Sequence, residues 1–266
     1  MSRSRVDLAG VHAIVTGGSA GIGLAVAVRL AERGARVSII ARDPARLAAA
    51  AARVPDLATA SADVTDAAAL RAAIDGLVAE RGPCDVLVTS AGAAHPGRFL
   101  ELDDDVFQSQ MELDYFGTLH AIRAVAPSMV ERRRGTIVGV SSSAGLIGVY
   151  GYTAYGATKY AVRGLLDALR AEMRPHGVQV LCAFPPDTDT PGFAAENLLK
   201  PAETAAVSAG IRVRTPEAVA RAIVDGIESS RVVITADAQT ALLARIGGLL
   251  RPLLDRVMDR AASKAK

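Results

Sequence analysis

The sequence predicts a single-domain α/β protein built on a doubly wound parallel sheet of about seven strands. Short runs rich in β-branched residues alternate with longer Ala- and Leu-rich segments that have helical spacing. Such an alternation forms right-handed crossovers, which make the strands parallel and place helices on both faces of the sheet. Half of the 266 residues are hydrophobic and only 4% are aromatic. Small aliphatic side chains must therefore fill the core, as is usual for buried parallel sheets.

The strands follow one another at regular intervals, and two segments interrupt the alternation. The predicted strands are His12–Thr16, Arg36–Ala41, Leu57–Ser61, Asp85–Thr89, Thr136–Ser141, Val178–Phe184 and Val232–Thr235. A long insertion, about 185–214, follows the sixth strand, and a basic amphipathic tail occupies 236–266. We expect residues 1–235 to form one domain, in which the insertion is a loop that contacts the substrate.

Charge and cysteine content exclude several classes of partner. The chain has 30 basic and 28 acidic residues, without the basic surplus of nucleic-acid-binding proteins, so we expect no nucleic-acid partner. Cys84 and Cys182 lack metal-ligand spacing and lie in apolar runs, which predicts buried thiols and no metal site. Residues 1–5 are basic, but no apolar signal segment follows. These observations predict a cytoplasmic protein.

A glycine-rich turn joins the first strand to the first helix. Its sequence is Gly17-Gly18-Ser19-Ala20-Gly21-Ile22-Gly23. Glycines at such a turn let backbone N–H groups approach a pyrophosphate at the positive end of the helix. An ordinary strand-to-helix turn is the alternative, but the position at the start of a βαβ unit favours dinucleotide binding.

The end of the second strand indicates which nucleotide is bound. NAD-dependent enzymes have an acid at this place for the ribose 2′-hydroxyl. Here the strand ends at Ala41 and Arg42 follows, with Arg46 one helical turn later. Two guanidinium groups suit a 2′-phosphate, which predicts NADPH. Asp43 is read as a helix N-cap followed by Pro44 at the first helical position.

Tyr155 and Lys159 lie four residues apart, on one face of a predicted helix. Ser142 comes 13 residues before Tyr155 and directly follows the fifth strand, so all three are expected at the carboxyl edge of the sheet. A phenol has a pKa of about 10, and a neighbouring cation lowers it. Tyr155 can therefore protonate an alkoxide as hydride reaches a carbonyl carbon, while Ser142 bonds the carbonyl oxygen.

These motifs together resemble the short-chain dehydrogenase/reductase family over about residues 10–235. The resemblance implies a Rossmann-type fold, an NADPH-dependent reductase and a homo-oligomer, either a dimer or a tetramer. The nucleotide would be held by Gly17, Ser19, Ala20, Gly21, Ile22, Gly23, Arg42, Arg46, Asp63, Val64, Ala91, Gly92, Tyr155 and Lys159, and by Pro185, Thr188 and Thr190 near the nicotinamide.

One position departs from the family pattern. Asp114 stands where the family has the Asn of its Asn-x-x-Gly motif, a relay residue that helps to hold a water linked to the catalytic lysine. Ionised Asp114 would offset part of the effect of Lys159 on Tyr155. Either catalysis is slower than in relatives, or the carboxylate points away. We include Asp114 among the predicted catalytic residues.

A narrower resemblance concerns the loop after the sixth strand. Its Pro185-Pro186-Asp187-Thr188-Asp189-Thr190-Pro191-Gly192-Phe193 run is similar to that of the 3-ketodihydrosphingosine reductases. This implies reduction of a long-chain 3-keto sphingoid base, a small lipophilic keto substrate. We expect Asp187 or Asp189 to face the substrate amine and Phe193 to contact its chain. Alternatively, both aspartates only stabilise local turns, and the ketone is another lipophilic compound of the β-keto acyl type.

The tail and the fold leave two further alternatives open. Leu243, Ile246, Leu250, Leu253 and Val257 form an apolar stripe flanked by arginines. Such a segment suits peripheral contact with the cytoplasmic face of a membrane, but it can equally pack on its own domain or on a partner subunit. Because fold does not determine function, a non-catalytic NADPH-binding regulatory protein is the alternative to an enzyme.

Overall fold

The structure, a computed structural model, describes residues 6–209 and 211–263. Gly210 of the predicted loop, both ends of the chain and the side chain of Val257 lie outside the described part. Seven parallel strands form one sheet in the order β3-β2-β1-β4-β5-β6-β7. This topology confirms the predicted doubly wound α/β fold.

Each strand lies within one residue of its predicted bounds. The strands are His12–Thr16 (β1), Arg36–Ala41 (β2), Ala58–Ser61 (β3), Val86–Thr89 (β4), Gly135–Val140 (β5), Val178–Phe184 (β6) and Val233–Thr235 (β7). The β-branched runs predicted these bounds well because every strand except the edge strands β3 and β7 is buried on both faces.

Eleven helices flank the sheet in the described part of the chain. They are Gly21–Glu32 (α1), Pro44–Ala51 (α2), Ala67–Arg81 (α3), Asp104–Gln110 (α4), Gly117–Glu131 (α5), Thr153–Met173 (α6), Pro191–Asn197 (α7), Ala202–Ser208 (α8), Pro216–Glu228 (α9), Ala238–Ile246 (α10) and Arg251–Ser263 (α11). Asp43 caps α2 by accepting from the amides of Ala45 and Arg46, as predicted. A π-helical turn, Met111–Phe116, joins α4 to α5.

Alternate residues of each central strand face opposite sides of the sheet. In β1, Ala13 and Val15 pack in one core cluster with residues of α1 and α9, including Ile223. Ile14 packs in the other cluster with Ile122 of α5 and Leu166 of α6. This alternation follows from the two-residue period of a strand, and it encloses the sheet between two helical layers.

The order of the strands reverses at β1, which pairs with β2 on one side and β4 on the other. Crossovers from the two halves of the sheet leave in opposite directions here, so a crevice opens beyond the carboxyl ends of these strands. The loops that follow β1, β4, β5 and β6 all begin at this edge. Most of the residues singled out from the sequence lie on these loops.

The insertion after β6 contains α7 and α8, and the tail contains α10 and α11. Pro252 lies at the second position of α11, where proline is tolerated, and the tail forms two separate helices. Helix α11 lies against α8, while Leu243 of α10 packs on the core. Over the described residues, no helix combines the length and the apolar character needed to cross a bilayer. The peripheral membrane contact stays a prediction.

Candidate active site

A cleft of about 490 Å³ opens at the carboxyl edge of the sheet. The predicted site residues that line it are Gly17, Ala20, Gly21, Ile22, Gly23, Arg46, Ala91, Gly92, Ser142, Tyr155, Lys159, Pro185, Asp187, Thr188, Thr190 and Phe193. A second cavity of about 470 Å³ lies near the amino end of β6, beside Arg174 and Ser230. None of the predicted site residues lines this second cavity, so the first cleft is the candidate active site.

The glycine-rich turn forms a cradle at the amino end of α1. Gly17 has a φ of +68°, and a Cβ there would stand 2.7 Å from the Ala91 backbone. A Cβ on Gly23 would overlap the carbonyl oxygen of Gly17. The N-cap residue of α1, Ala20, offers no side chain to the first amides. These uncapped N–H groups fit a pyrophosphate.

The predicted adenosine-side residues lie around the margin of this cleft. Arg46 lines the cleft and pairs with Asp43 at 3.5 Å. Arg42 is 70% exposed and lies 3.6 Å from Asp63, outside the cleft lining. Val64 is buried, and neither it nor Ser19 lines the cleft. Two guanidinium groups therefore stand at the end of β2, where no acid occupies the strand end.

The predicted catalytic trio comes together in the cleft. Ser142 follows β5 and is the N-cap of a short 3₁₀ turn, where its Oγ accepts from the amide of Ala144 at 3.1 Å. Tyr155 and Lys159 lie on consecutive turns of α6. The Lys159 Nζ is 5.4 Å from the centre of the Tyr155 ring. The arrangement has a proton donor, a cation and a second hydroxyl at one place.

Burial raises the pKa of Tyr155, and the Lys159 cation and the Ser142 hydroxyl offset only part of this rise. The expected lowering by Lys159 therefore occurs, but the net direction is upward. The charge of Asp114 adds to the rise. In the free protein, Tyr155 is consequently a neutral phenol at neutral pH, the form that can donate a proton.

Asp114 points at Lys159 and not away from it. Its Oδ1 lies 3.2 Å from the Lys159 Nζ, and both side chains are buried. The carboxylate also accepts from the Thr158 hydroxyl and the Ala93 amide, each at 3.3 Å. Burial alone would lower the pKa of Lys159, but the Asp114 carboxylate turns the net shift upward. This pair keeps the lysine protonated.

Asp114 is held in place by the π-helical turn between α4 and α5. Such turns occur frequently at functional sites. A Cβ on Gly92 would overlap Asp114 Oδ1, so the glycine leaves room for the carboxylate beside Lys159. Of the two sequence-based alternatives for Asp114, the structure has the one in which its charge competes with the effect of Lys159 on Tyr155.

The two aspartates of the substrate loop have different surroundings. Asp187 is half-buried and lines the cleft, and burial raises the pKa of its carboxyl. Asp189 is exposed, does not line the cleft, and its amide donates to the carbonyl of Arg214. Thr188 is buried, and its hydroxyl donates to the Pro186 carbonyl at 2.7 Å. Only Asp187 is therefore available to a ligand in the cleft.

Sequence reasoning missed a chain of three interacting residues that begins beside Tyr155. The hydroxyl of Tyr152 donates to Glu196, and Glu196 pairs with Lys200 at 3.1 Å. Glu196 and Lys200 are four residues apart, a spacing that indicates a pair on a helix, but α7 was not predicted within the insertion. Without that helix, their proximity could not be inferred.

No group of three or more His, Cys, Asp or Glu side chains is placed to hold a metal ion within the described ranges. The cleft is lined by Ser142, Tyr155 and Lys159, and Asp114 is paired with Lys159. The phenol of Tyr155 can donate a proton, and the Lys159 cation can stabilise negative charge. Both lie next to a glycine-rich cradle that fits a dinucleotide.

Comparison with known proteins agrees with this geometry. Residues 11–199 match the family described as short chain dehydrogenase. The 3-dehydrosphinganine reductase of Danio rerio is 42% identical over 233 residues, which cover 84% of this chain and 70% of that protein. The 3-ketodihydrosphingosine reductase of Bos taurus is 41% identical, with the same coverage of 84% and 70%.

A solved structure of a short chain dehydrogenase/reductase family protein is 30% identical, with a TM-score of 0.75, and the match covers 87% of this chain and 98% of that chain. The family binds NAD(P)H. The matched region begins one residue before β1 and ends in the insertion after β6, so it contains the glycine-rich turn and the predicted catalytic trio. The chain therefore belongs to the short-chain dehydrogenase family, and it is an oxidoreductase that acts on a ketone or an alcohol.

Proposed function

We propose that this protein uses NADPH to reduce 3-ketosphinganine to sphinganine. The main support for this substrate is sequence identity. Over 84% of its length, the chain is 41–42% identical to a 3-dehydrosphinganine reductase and a 3-ketodihydrosphingosine reductase. The cleft adds independent support, since a carboxylate, Asp187, and an apolar side chain, Phe193, both line it beside Tyr155.

The chain's own residues account for the proton and charge movements of a ketone reduction. NADPH supplies the hydride when it is bound. Tyr155 is neutral because burial raises its pKa, so it donates the phenolic proton to the carbonyl oxygen. Ser142 donates to the same oxygen and stabilises its developing charge. Lys159, kept protonated by Asp114, stabilises the resulting phenolate and lies close enough to the cleft to bind the nicotinamide ribose.

The choice of NADPH rests on the guanidinium groups at the end of β2. Arg42 and Arg46 are both exposed, and their partners Asp63 and Asp43 lie 3.6 and 3.5 Å away. Exposed pairs of this length contribute little energy, so a phosphate can displace them. A phosphate accepts charge-assisted hydrogen bonds from guanidinium groups more strongly than a hydroxyl does.

The experiment is turnover of the purified protein with NADPH on 3-ketosphinganine and on a panel of β-keto acyl thioesters. We expect the sphingoid base to have the highest kcat/KM. Affinity should rise with alkyl chain length, by about 0.8 kcal/mol for each buried methylene. Preference for the thioesters would move the protein to the wider class of lipophilic ketone reductases. Binding of NADPH without turnover of any ketone would instead indicate a regulatory protein.

A further inference from the structure

Glu196, in the last turn of α7, is held in place by two contacts. The Tyr152 hydroxyl donates to its Oε1, and Lys200 lies 3.1 Å from the same oxygen. Lys200 is itself fixed, because its Nζ stands 4.3 Å from the centre of the Phe193 ring and its side chain is only 5% exposed. The carboxylate thus has a defined position and does not move freely at the surface.

This position is beside the reacting centre. The centre of the Tyr152 ring lies 5.8 Å from the centre of the Tyr155 ring. The Tyr152 side chain therefore links Glu196 to the proton donor. Glu196, Asp187 and Phe193 all line the same cleft as Tyr155. A substrate whose ketone reaches Tyr155 must bring its neighbouring atoms close to this group.

Among the charged side chains of the cleft, Lys159 and Arg46 are paired with Asp114 and Asp43, but the cluster of Asp187, Glu196 and Lys200 does not balance. Asp187 and Glu196 contribute two carboxylates, and Lys200 contributes one cation. Within residues 6–209 and 211–263, the Asp187 side chain has no hydrogen bond or ion pair. A partly buried carboxylate without a partner is costly, and a ligand cation repays that cost. With both carboxylates ionised, this cluster has a net charge of one negative unit, which one ammonium group would neutralise.

We infer that Asp187 and Glu196, the latter paired with Lys200, form the subsite for the substrate ammonium group next to the reacting ketone. This inference rests on the proposed function, because a 3-keto sphingoid base has its amine on the carbon adjacent to the carbonyl. Asp187 contacts the ammonium, and Glu196 supplies the second negative charge and is a specificity-determining residue. The ketone of a β-keto acyl compound has no such cation and gains nothing from the cluster.

The test compares 3-ketosphinganine with the same ketone lacking the amine, as the ratio of their kcat/KM values. Glu196→Gln removes one negative charge, and we expect the ratio to fall by about tenfold, since loss of one partner from a partly buried charge pair has an effect of this order or larger. Lys200→Met retains the packing on Phe193 but removes the competing cation, so the ratio should rise. The double variant should return close to the unmodified protein.

Glu217→Gln is the matched control, because Glu217 is exposed on α9 and does not line the cleft; it should leave the ratio unchanged. If Glu196→Gln lowers both kcat/KM values by the same factor, the ratio stays constant and the effect is general damage to the fold. That result would overturn the inference. Equal ratios in all five proteins, with 3-ketosphinganine still reduced, would overturn the subsite but not the proposed function. If the unmodified protein reduces neither ketone, the proposed function itself fails, and the subsite fails with it.

Discussion

At the scale of single residues, the pKa of Tyr155 determines which form of the phenol is present in the cleft. Burial raises its pKa, and the nearby Asp114 charge adds to this rise. A neutral phenol is the donor that a ketone reduction needs. The opposite reaction needs a base, and the same shift makes phenolate scarce at neutral pH. The shift therefore favours the form of Tyr155 that donates the proton in a ketone reduction.

Replacement of Tyr155 by Phe removes the proton donor and retains the ring beside Tyr152. Turnover of ketone should fall by about 10²- to 10⁴-fold, the usual contribution of a general acid. NADPH binding, measured by the change in its fluorescence, should stay within a few-fold. Loss of nucleotide binding together with turnover would show that Tyr155 acts on the structure of the cleft and not on the proton.

Asp114→Asn tests the buried pair with Lys159. The carboxylate raises the pKa of Tyr155, so its removal should lower that pKa. The reduction rate falls as the pH rises through the pKa of the donor, and this alkaline limb should therefore move to lower pH. At neutral pH, activity should fall without being lost, because burial lowers the pKa of Lys159 once the carboxylate that raises it is gone. A complete loss of activity, or an alkaline limb that moves upward, would contradict the role assigned to Asp114.

The cofactor assignment depends on Arg42 and Arg46. Changing both to Ala removes two charged donors for a 2′-phosphate and none for a 2′-hydroxyl. The KM for NADPH should rise at least about tenfold, since each charge-assisted hydrogen bond contributes more than 1.4 kcal/mol. The KM for NADH should change little. Equal use of the two nucleotides by the unmodified protein would contradict the assignment before any variant is made.

At the scale of elements, the glycine-rich turn has a steric requirement that other glycines lack. Gly23→Ala would force a Cβ against the carbonyl oxygen of Gly17, so we expect loss of NADPH binding and a lower melting temperature. Gly76→Ala is the matched control, because Gly76 lies in α3 with nothing within 4 Å of the added Cβ.

The control variant should be more stable by about 0.5–1 kcal/mol, the usual gain for alanine over glycine in a helix. Both variants are compared by thermal denaturation and by nucleotide titration. If Gly23→Ala binds NADPH normally and melts like the unmodified protein, then the turn does not need the close backbone approach that the structure shows.

The elements also show where sequence reasoning works and where it does not. The bounds of the strands were predicted to within one residue. A strand that is buried on both faces has a continuous run of apolar residues, and such a run is easily recognised in the sequence. Helix α7 was not predicted: it has only seven residues, begins at Pro191 and has no buried residue. Its cap, Thr190, bonds the Phe193 amide and holds it in place locally. Short exposed helices carry little periodic signal.

At the scale of the whole molecule, the site forms where loops from both halves of the sheet meet. The sequence predicts Ser142, Tyr155 and Lys159 because their motif is local and the strand order brings them to one edge. It does not predict the direction of the Asp114 side chain, which depends on a π-helical turn. Nor does it predict that Asp187 faces the cleft while Asp189 is exposed. The two residues belong to one loop, and only tertiary packing makes their surroundings different.

The most direct measurement follows the hydride itself. The purified protein is incubated with 3-ketosphinganine and NADPH that carries deuterium at both positions of C4, and the product is analysed by mass spectrometry. The account predicts sphinganine with one deuterium, bonded to C3, and about 10²- to 10⁴-fold slower formation of this product when Tyr155→Phe replaces the unmodified protein. Sphinganine without deuterium, or no sphinganine while NADPH remains bound, would contradict the claim that this cleft transfers hydride to a sphingoid ketone.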